Sequence, residues 1–167
     1  MKRYKVLEFK RRRLGLTDYE KRLGLLKSRK TRIIIRKSNR YIQIQFVEYN
    51  PKGDKVLLTV RSKELKKLGW DYSCKNLPAA YLTGFYAGKT AIGKKINDGV
   101  FDIGRYSIVK GSILFAALKG IIDGGVKVPY SDEIVAEEKR LKGMHTKNKE
   151  NTIKDFENLK EKLKGIK

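Results

Sequence analysis

The side chains with the clearest chemistry in this sequence are cations near its start. Lys10–Arg13 is a run of four basic residues, and no acidic run lies nearby to pair with it. The aromatic residues Tyr4, Phe9 and Tyr19 are interleaved with this segment. Guanidiniums and aromatic rings are groups that proteins use to hold phosphates and unstacked RNA bases, although core packing explains Tyr19 equally well. The segment therefore predicts binding of a polyanion.

Two further segments raise the question of phosphate binding. Gly84–Thr90 resembles a P-loop, but the GxxxxGK[ST] spacing requires glycine where Thr83 stands. The segment also falls inside a continuous helical pattern, where no backbone amides are free, so we reject a nucleotide site. The helix start at Gly111-Ser112, beside Lys110, is suited to holding one phosphate through the helix dipole, and a simple helix cap explains it as well.

The acidic, cysteine and histidine residues form no recognisable catalytic pattern. A metal-dependent nuclease needs several converging carboxylates, whereas Asp98, Asp102 and Asp123 are scattered at strand and helix ends. The single cysteine, Cys74, excludes an internal disulfide, and the single histidine, His145, excludes most zinc sites. We therefore expect no cofactor, no metal site and no enzymatic activity, and keep a metal-dependent nucleic-acid hydrolase as the alternative.

The overall composition points to the same class of partner. The chain has 167 residues, and 40 Lys and Arg against 18 Asp and Glu give it a net charge of +22. Self-repulsion at this charge density destabilises a compact state, so a polyanionic partner is the economical explanation. No apolar run approaches the ~20 residues that span a bilayer, and the first apolar segment is too interrupted by charge for a signal peptide. We expect a soluble, intracellular protein.

The positive charge is concentrated at the N-terminal end. Residues 1–32 carry 13 Lys and Arg against 3 Asp and Glu, whereas residues 129–167 carry 10 against 8. We therefore divide the chain into a basic N-terminal arm and helix (1–31), an α/β body (32–130) and a mixed-charge helical tail (131–167). We interpret the tail charges as a solvated face.

A short helix must position the cations that follow the arm. Thr17 and Glu20 form a capping box, which predicts a helix over about 18–29. Tyr19 and the leucines at i+4 and i+7 share one face, so we expect this face to dock on the body. The basic residues of the same segment then point outward: Lys21, Arg22, Lys27, Arg29 and Lys30.

Three strand patterns come next: Arg32–Lys37, Tyr41–Tyr49 and Lys55–Arg61. Turn residues separate them, beginning with Ser38-Asn39. The alternation of apolar and polar residues predicts an antiparallel meander with one apolar face for helices and one polar, aromatic face. In the third strand, we expect Val56 to face the core together with the apolar residues two and four positions further on.

The remaining pattern consists of helices and short strands. The predicted elements, in chain order, are helices at about 62–68 and 77–95, a strand at Val100–Ile103, a helix at Gly111–Ile122, a short strand at Val126–Pro129, and polar tail helices at about 132–141 and 151–164. A stripe of Gly and Ala in the second helix predicts close approach to a sheet or to another helix. The fold class is α/β, with a mixed sheet and helices packed on one of its faces.

Several separate segments match, in the same order, the sequence of a known family. The matching stretches are Phe9–Arg13 with Thr17-Asp18-Tyr19, Lys37–Ile42 with Gln45, Ala79-Ala80-Tyr81 with Thr83-Gly84, and Phe115–Gly120 followed by Asp123–Pro129. Over residues 3–131 the chain resembles the universal 5S-rRNA-binding family of the large ribosomal subunit, called L-eighteen in bacteria and archaea and L-five in eukaryotes. The resemblance is greater to the archaeal and eukaryotic branch, and it does not extend to residues 132–167.

The resemblance implies a non-enzymatic role in the cytoplasmic ribosome. It implies binding to 5S rRNA in the central protuberance, with contacts to the large-subunit rRNA and to a neighbouring 5S-associated ribosomal protein. Carried onto this chain and in agreement with the charge distribution, the RNA-binding residues are Lys10, Arg11, Arg12, Arg13, Lys21, Arg22, Lys27, Arg29, Lys30, Arg32, Lys37, Ser38, Asn39 and Arg40.

The arm has too little apolar surface to fold by itself, so we expect it to become ordered on RNA. A non-ribosomal RNA chaperone is a further alternative, because cations and aromatic rings bind many structured RNAs.

Overall fold

The structure is a computed structural model that describes residues 7–146 and 149–165. Its fold is centred on a four-stranded mixed sheet. The strands are β1 (Arg32–Lys37), β2 (Ile42–Glu48), β3 (Lys55–Arg61) and β4 (Val100–Asp102), in the spatial order β3-β2-β1-β4. β1 pairs with β2, and β2 with β3, in antiparallel orientation, whereas β4 is parallel to β1. The predicted meander and the α/β class are confirmed.

Six α-helices and two 3₁₀ helices accompany the sheet in the described part of the chain. The α-helices are α1 (Lys10–Arg13), α2 (Tyr19–Lys27), α3 (Leu77–Gly93), α4 (Ile113–Asp123), α5 (Glu138–Leu141) and α6 (Lys149–Lys164), and the 3₁₀ helices are Ser62–Leu68 and Asp132–Ile134. None of the helices in residues 7–146 and 149–165 has the length and apolar character to cross a bilayer.

The sheet buries one face completely, because its strands alternate. Ile33 and Ile35 of β1 and Ile44 and Phe46 of β2 have no exposed surface. Their sequence neighbours point to the opposite face, which carries polar side chains. α3 and α4 pack on the apolar face, as the sequence predicted.

A β-bulge changes the orientation of the beginning of β3. Phe46 pairs with Leu58, but the next residue of β2, Val47, pairs with Val56, so that Leu57 is the extra residue. A bulge of this kind turns the residues beyond it to the other face. Val56 is accordingly 49% exposed, and the prediction that it faces the core was wrong.

Glycines bring α3 and α4 into close contact. A Cβ atom on Gly84 would overlap the carbonyl oxygen of Ala117, and one on Gly88 would lie 2.6 Å from the carbonyl oxygen of Ile121. The small-residue stripe is therefore a helix–helix contact. It also confirms that the P-loop-like segment lies inside a helix. The cap of α3 was predicted correctly, since Asn76 Oδ1 accepts a hydrogen bond from the Ala79 amide at 2.9 Å.

The tail packs on α3 through the apolar side of α6. Phe156, Leu159 and Leu163 are at most 3% exposed and belong to the same core as the sheet. Lys160 Nζ donates to Tyr81 Oη at 2.7 Å, and Tyr81 Oη donates to Asp123 at 2.6 Å. Burial, assisted by the Asp123 hydrogen bond, raises the pKa of Tyr81, so this phenol remains a donor.

Two predicted elements near the tail differ from the structure. The expected strand at 126–129 is reduced to one parallel bridge between Asp98 and Lys127. The expected helix at 132–141 is a 3₁₀ turn, Asp132–Ile134, followed by the single turn of α5. Val135, between them, has an extended backbone, which interrupts the helix.

Candidate nucleic-acid interface

The face of the sheet opposite α3 and α4 is open and polar. Arg36, Gln43 and Arg61 lie in one row across three strands, because Gln43 pairs with both arginines. One row further along, Gln45 Nε2 donates to Thr59 Oγ1 at 3.2 Å. All five side chains are partly or fully accessible. This open face offers hydrogen-bond donors and positive charge to a ligand.

At one end of the open face, Arg32 is buried in an ion cluster. Its side chain is 2% exposed, and its guanidinium pairs with Asp54 at 2.5 Å and with Asp102 at 3.1 Å. Arg22 of α2 binds the same Asp54 carboxylate at 2.8 and 2.9 Å. Arg32 was predicted to contact RNA, and this is a correction: an enclosed guanidinium with two carboxylate partners ties β1, β4 and α2 together instead.

The Asp54 carboxyl of this cluster remains ionised. Burial by itself would raise the pKa of the Asp54 carboxyl, but the hydrogen bonds and charges of Arg22 and Arg32 outweigh it and lower the pKa below its usual value. Asp54 therefore remains paired with Arg22 and Arg32 at neutral pH. The cluster also attaches α2 to the body through Arg22. No residue of α2 is buried, so this ion pair takes the place of apolar packing.

The structure corrects two details of α2. Its N-cap is Asp18, whose carboxylate accepts from the Lys21 amide at 3.0 Å, whereas Thr17 accepts a hydrogen bond from Arg11 Nε at 3.2 Å. The expected apolar docking face is wrong, since Leu23 is 58% exposed. The helix is attached by the charge of Arg22, which leaves its remaining cations on the surface.

The cations of α2 and its C-terminal end differ in their partners. Lys21 pairs with Asp18 at 3.7 Å, and Lys30 pairs with Asp98 at 2.9 Å across partly exposed surface. Lys27 forms no ion pair within the described chain. Arg29 is exposed and has a left-handed backbone, with φ at 55°.

The arm lies across the loop that follows β4. Gly15 has φ at +57°, and a Cβ there would lie 2.9 Å from the Arg105 guanidinium. A Cβ on Gly104, the residue that precedes Arg105, would lie 2.7 Å from the Arg36 guanidinium of the open face. The arm therefore borders the same face of the sheet as α2 does.

The arm exposes both its charges and its apolar residues. Every residue of α1, Lys10–Arg13, is exposed. Arg12 pairs with Glu8 at 3.2 Å, whereas neither Lys10 nor Arg13 has an ion pair with a described residue. Phe9 is 85% exposed. A single helical turn of this kind is marginal on its own. Tyr4 lies outside the described residues.

The turn between β1 and β2 brings the predicted cations to the other end of the open face. Ser38 Oγ donates to the Tyr41 carbonyl at 2.9 Å and accepts from the Tyr41 amide at 3.0 Å, so its hydroxyl holds the turn together. Asn39 and Arg40 are exposed at the tip. Lys37 Nζ lies 5.6 Å from the ring centroid of Tyr106, in favourable cation–π geometry.

Sequence reasoning missed three arginines at this surface: Arg36, Arg61 and Arg105. Side chains alternate between the two faces of a strand, and Arg36 and Arg61 occupy outward-facing positions of β1 and β3. The alternation in the sequence could therefore have identified both. Arg105 carries no such signal, because only the fold brings its loop under the arm.

A comparison with known families assigns the chain to a class of protein. Residues 2–101 match the family described as ribosomal large subunit proteins 60S L5 and 50S L18. The chain belongs to this family. It is 53% identical over 143 residues to the large ribosomal subunit protein uL18 of Korarchaeum cryptofilum, which covers 86% of this chain and 73% of that protein.

Two further relatives with the same name are similar over most of their length. The uL18 protein of Methanococcus maripaludis is 46% identical over 88% of this chain and 76% of its own. That of Methanothrix thermoacetophila is 44% identical over 98% of this chain and 97% of its own, and therefore includes the tail. The resemblance to the archaeal type is thus confirmed.

Membership of the L5/L18 family makes this chain a structural, non-enzymatic component of the large subunit of the cytoplasmic ribosome. The carboxylates considered for a nuclease have structural partners: Asp102 binds Arg32 and Arg36, and Asp123 accepts from Tyr81. In the described part of the chain, no cluster of three or more His, Cys, Asp or Glu is arranged to hold a metal ion.

Proposed function

We propose that this protein binds 5S rRNA and helps attach it to the large-subunit rRNA in the central protuberance, beside a neighbouring 5S-associated ribosomal protein. The observation that carries the proposal is the convergence of three segments on one open polar face. Exposed cations without a carboxylate partner in the described chain occur in the arm (Arg13), in α2 (Lys27) and in the turn (Arg40). A folded polyanion supplies the charge that these residues lack.

The protein holds the RNA through non-covalent contacts and catalyses no reaction on it. Guanidinium and ammonium groups replace counterions on the phosphates, which provides affinity without base specificity. Polar groups of the open face, such as Gln43 and Asn39, set the register of the RNA. Phe9 is available to pack on a sugar or an unstacked base.

The main test is a salt titration of the full chain on 5S rRNA. If the arm, α2 and the turn engage about 6–10 phosphates, affinity falls by about 10³–10⁵ between 50 and 200 mM salt on the scale established for duplex DNA. A nearly flat salt dependence would contradict the proposal, because the unpaired cations would then have no part in binding.

Selectivity separates the proposal from a general RNA chaperone. We expect 5S rRNA to bind at least about tenfold more tightly than a structured RNA of equal length at the same salt concentration, because shape adds to charge. Equal affinities would favour the chaperone. Co-purification of the protein with 5S rRNA in a one-to-one particle would provide an independent check.

A further inference from the structure

A cavity of about 590 Å³, lined by both polar and apolar residues, lies between the body and the beginning of the tail. Separate segments of the chain line it, including the start of α3 at Asn76 and Leu77. Ser112 stands at the N-terminal end of α4, Lys37 at the end of β1, Arg140 on α5, and His145 in the turn that follows α5. This is the helix start for which the sequence left two explanations open, one phosphate or a simple cap.

The charges around the cavity are all of one sign. No Asp or Glu is among its lining residues. Within the described chain, neither Lys37 nor Arg140 forms an ion pair, whereas Lys110, beside the cavity, pairs with Glu133 at 3.6 Å. The amino end of α4 adds the equivalent of about half a positive charge. The cavity therefore concentrates positive potential that the described residues do not neutralise.

The simple-cap explanation fails at this helix. Ser112 occupies the N-cap position with an extended backbone, but its side chain caps no amide. Its hydroxyl oxygen is shielded from solvent and has no hydrogen-bond partner among the described residues. In contrast, Asp18 and Asn76 cap α2 and α3 with side-chain hydrogen bonds. The first amides of α4 and the Ser112 hydroxyl are thus donors in need of an acceptor.

We propose that this cavity binds a phosphate group. The acceptor oxygens of a phosphate suit the amides of α4 and the Ser112 hydroxyl, and its charge suits Lys37 and Arg140. The phosphate belongs either to an RNA backbone or to inorganic phosphate in solution. The first source rests on the function proposed above, since Lys37 joins the cavity to the turn at the edge of the open face.

Titration of inorganic phosphate into the full chain tests the site directly. At constant ionic strength, measured by calorimetry or by ³¹P line broadening, Arg140→Gln is expected to weaken phosphate binding by about tenfold. Lys139→Gln is the matched control, since it removes the same charge from the adjacent exposed position without lining the cavity. The control should bind within twofold of the unmodified protein. Equal binding by both variants would overturn the proposal.

The same two variants, titrated with 5S rRNA, distinguish the sources. If RNA provides the phosphate, Arg140→Gln reduces the logarithmic salt slope by about 1 relative to Lys139→Gln, and inorganic phosphate competes with the RNA. If only inorganic phosphate binding is lost, the site is confirmed and its ligand is the free anion.

The phosphate site and the proposed RNA function can fail separately. Saturable phosphate binding by a protein that shows no preference for 5S rRNA would support the site alone. The site is overturned if inorganic phosphate shows no saturable binding and both variants have the same RNA affinity and salt slope. Because Arg140 is exposed, we expect its variant to unfold at the same temperature as the control, which circular dichroism would verify.

Discussion

Two groups of arginines in this protein have the same chemistry and opposite environments. Arg22 and Arg32 share the Asp54 carboxylate, and Arg32 is enclosed against Asp102 as well. Arg13 in the arm and Arg40 in the first turn are exposed, with no carboxylate partner in the described chain. Arginines paired inside the molecule maintain its shape, whereas unpaired arginines at the edge of the open face are left for a ligand. Net charge alone does not separate these uses.

The largest expected effect is the removal of the enclosed arginine. Arg32→Met leaves Asp102 buried without its main partner, so we expect the free energy of unfolding to fall by about 3–5 kcal/mol. Urea unfolding followed by the fluorescence of Trp70, which has no exposed surface, measures it. Arg13→Met is the matched control and should change stability by less than about 0.5 kcal/mol. Equal stabilities of the two variants would show that the enclosed arginine contributes no more to folding than the exposed one.

Charge reversal in the arm should weaken RNA binding and leave the stability of the protein unchanged, which is the opposite of the effect expected for Arg32→Met. Replacing Arg11, Arg12 and Arg13 together by Glu is expected to weaken 5S rRNA binding by about 10²–10³ and to lower the salt slope by about 3, while the thermal melt stays normal. The control reverses three exposed lysines of α6, Lys154, Lys162 and Lys164, which changes the total charge equally. If this control loses as much affinity, binding depends on total charge and not on the arm.

The pH dependence of stability should reveal the enclosed cluster. Because the folded-state pKa of Asp54 is lowered, its contribution is fully present above its unfolded value near 3.8 and is lost as the pH falls through the lower folded value. Asp54→Asn should therefore be less stable than the unmodified protein at pH 7, and the difference should begin to shrink as the pH falls below about 4. Urea midpoints at several pH values measure it, and a constant difference down to pH 2 would contradict the cluster.

The smallest expected effect concerns the contact between the arm and the β4 loop. Gly15→Ala places a Cβ in a left-handed backbone against Arg105, which costs about 1–2 kcal/mol. Since this contact lies outside the core, we expect the urea midpoint to be unchanged and the affinity for 5S rRNA to fall about fivefold to tenfold. Gly53→Ala, at another positive φ but with open space around it, is the control. Equal RNA affinities would show that the arm conformation does not influence binding.

Local patterns predicted the sheet and its main helices well. The bounds of β1 and β3 agree with the prediction, and Asn76 caps α3 as expected. These features depend on neighbours in sequence: alternation, turn residues and capping side chains. The orientation of Val56 was not predictable in this way, because a bulge depends on the pairing partner of the strand.

The predicted RNA-binding set consisted of cations together with Ser38 and Asn39, and its weak point was Arg32. In the sequence, this residue continues the basic series of the arm and α2. Its partners, Asp54 and Asp102, lie 22 and 70 positions away along the chain, so no local pattern connects them. The cavity at Ser112 has the same origin, since its cations, Lys37 and Arg140, come from two distant segments.

The sequence alone determined the class of this protein: a strongly basic α/β chain of the L5/L18 family, with its excess charge densest at the front. Composition and short-range pattern are sufficient for the charge and the fold class, because they are properties of residues and of their near neighbours, and the family followed from the ordered resemblance of several segments. Only the tertiary structure decided which cations are enclosed, which border the open face, and which converge on the cavity. The physical reason is that the partner of a charge depends on distance in space, and folding brings together residues that the chain keeps far apart.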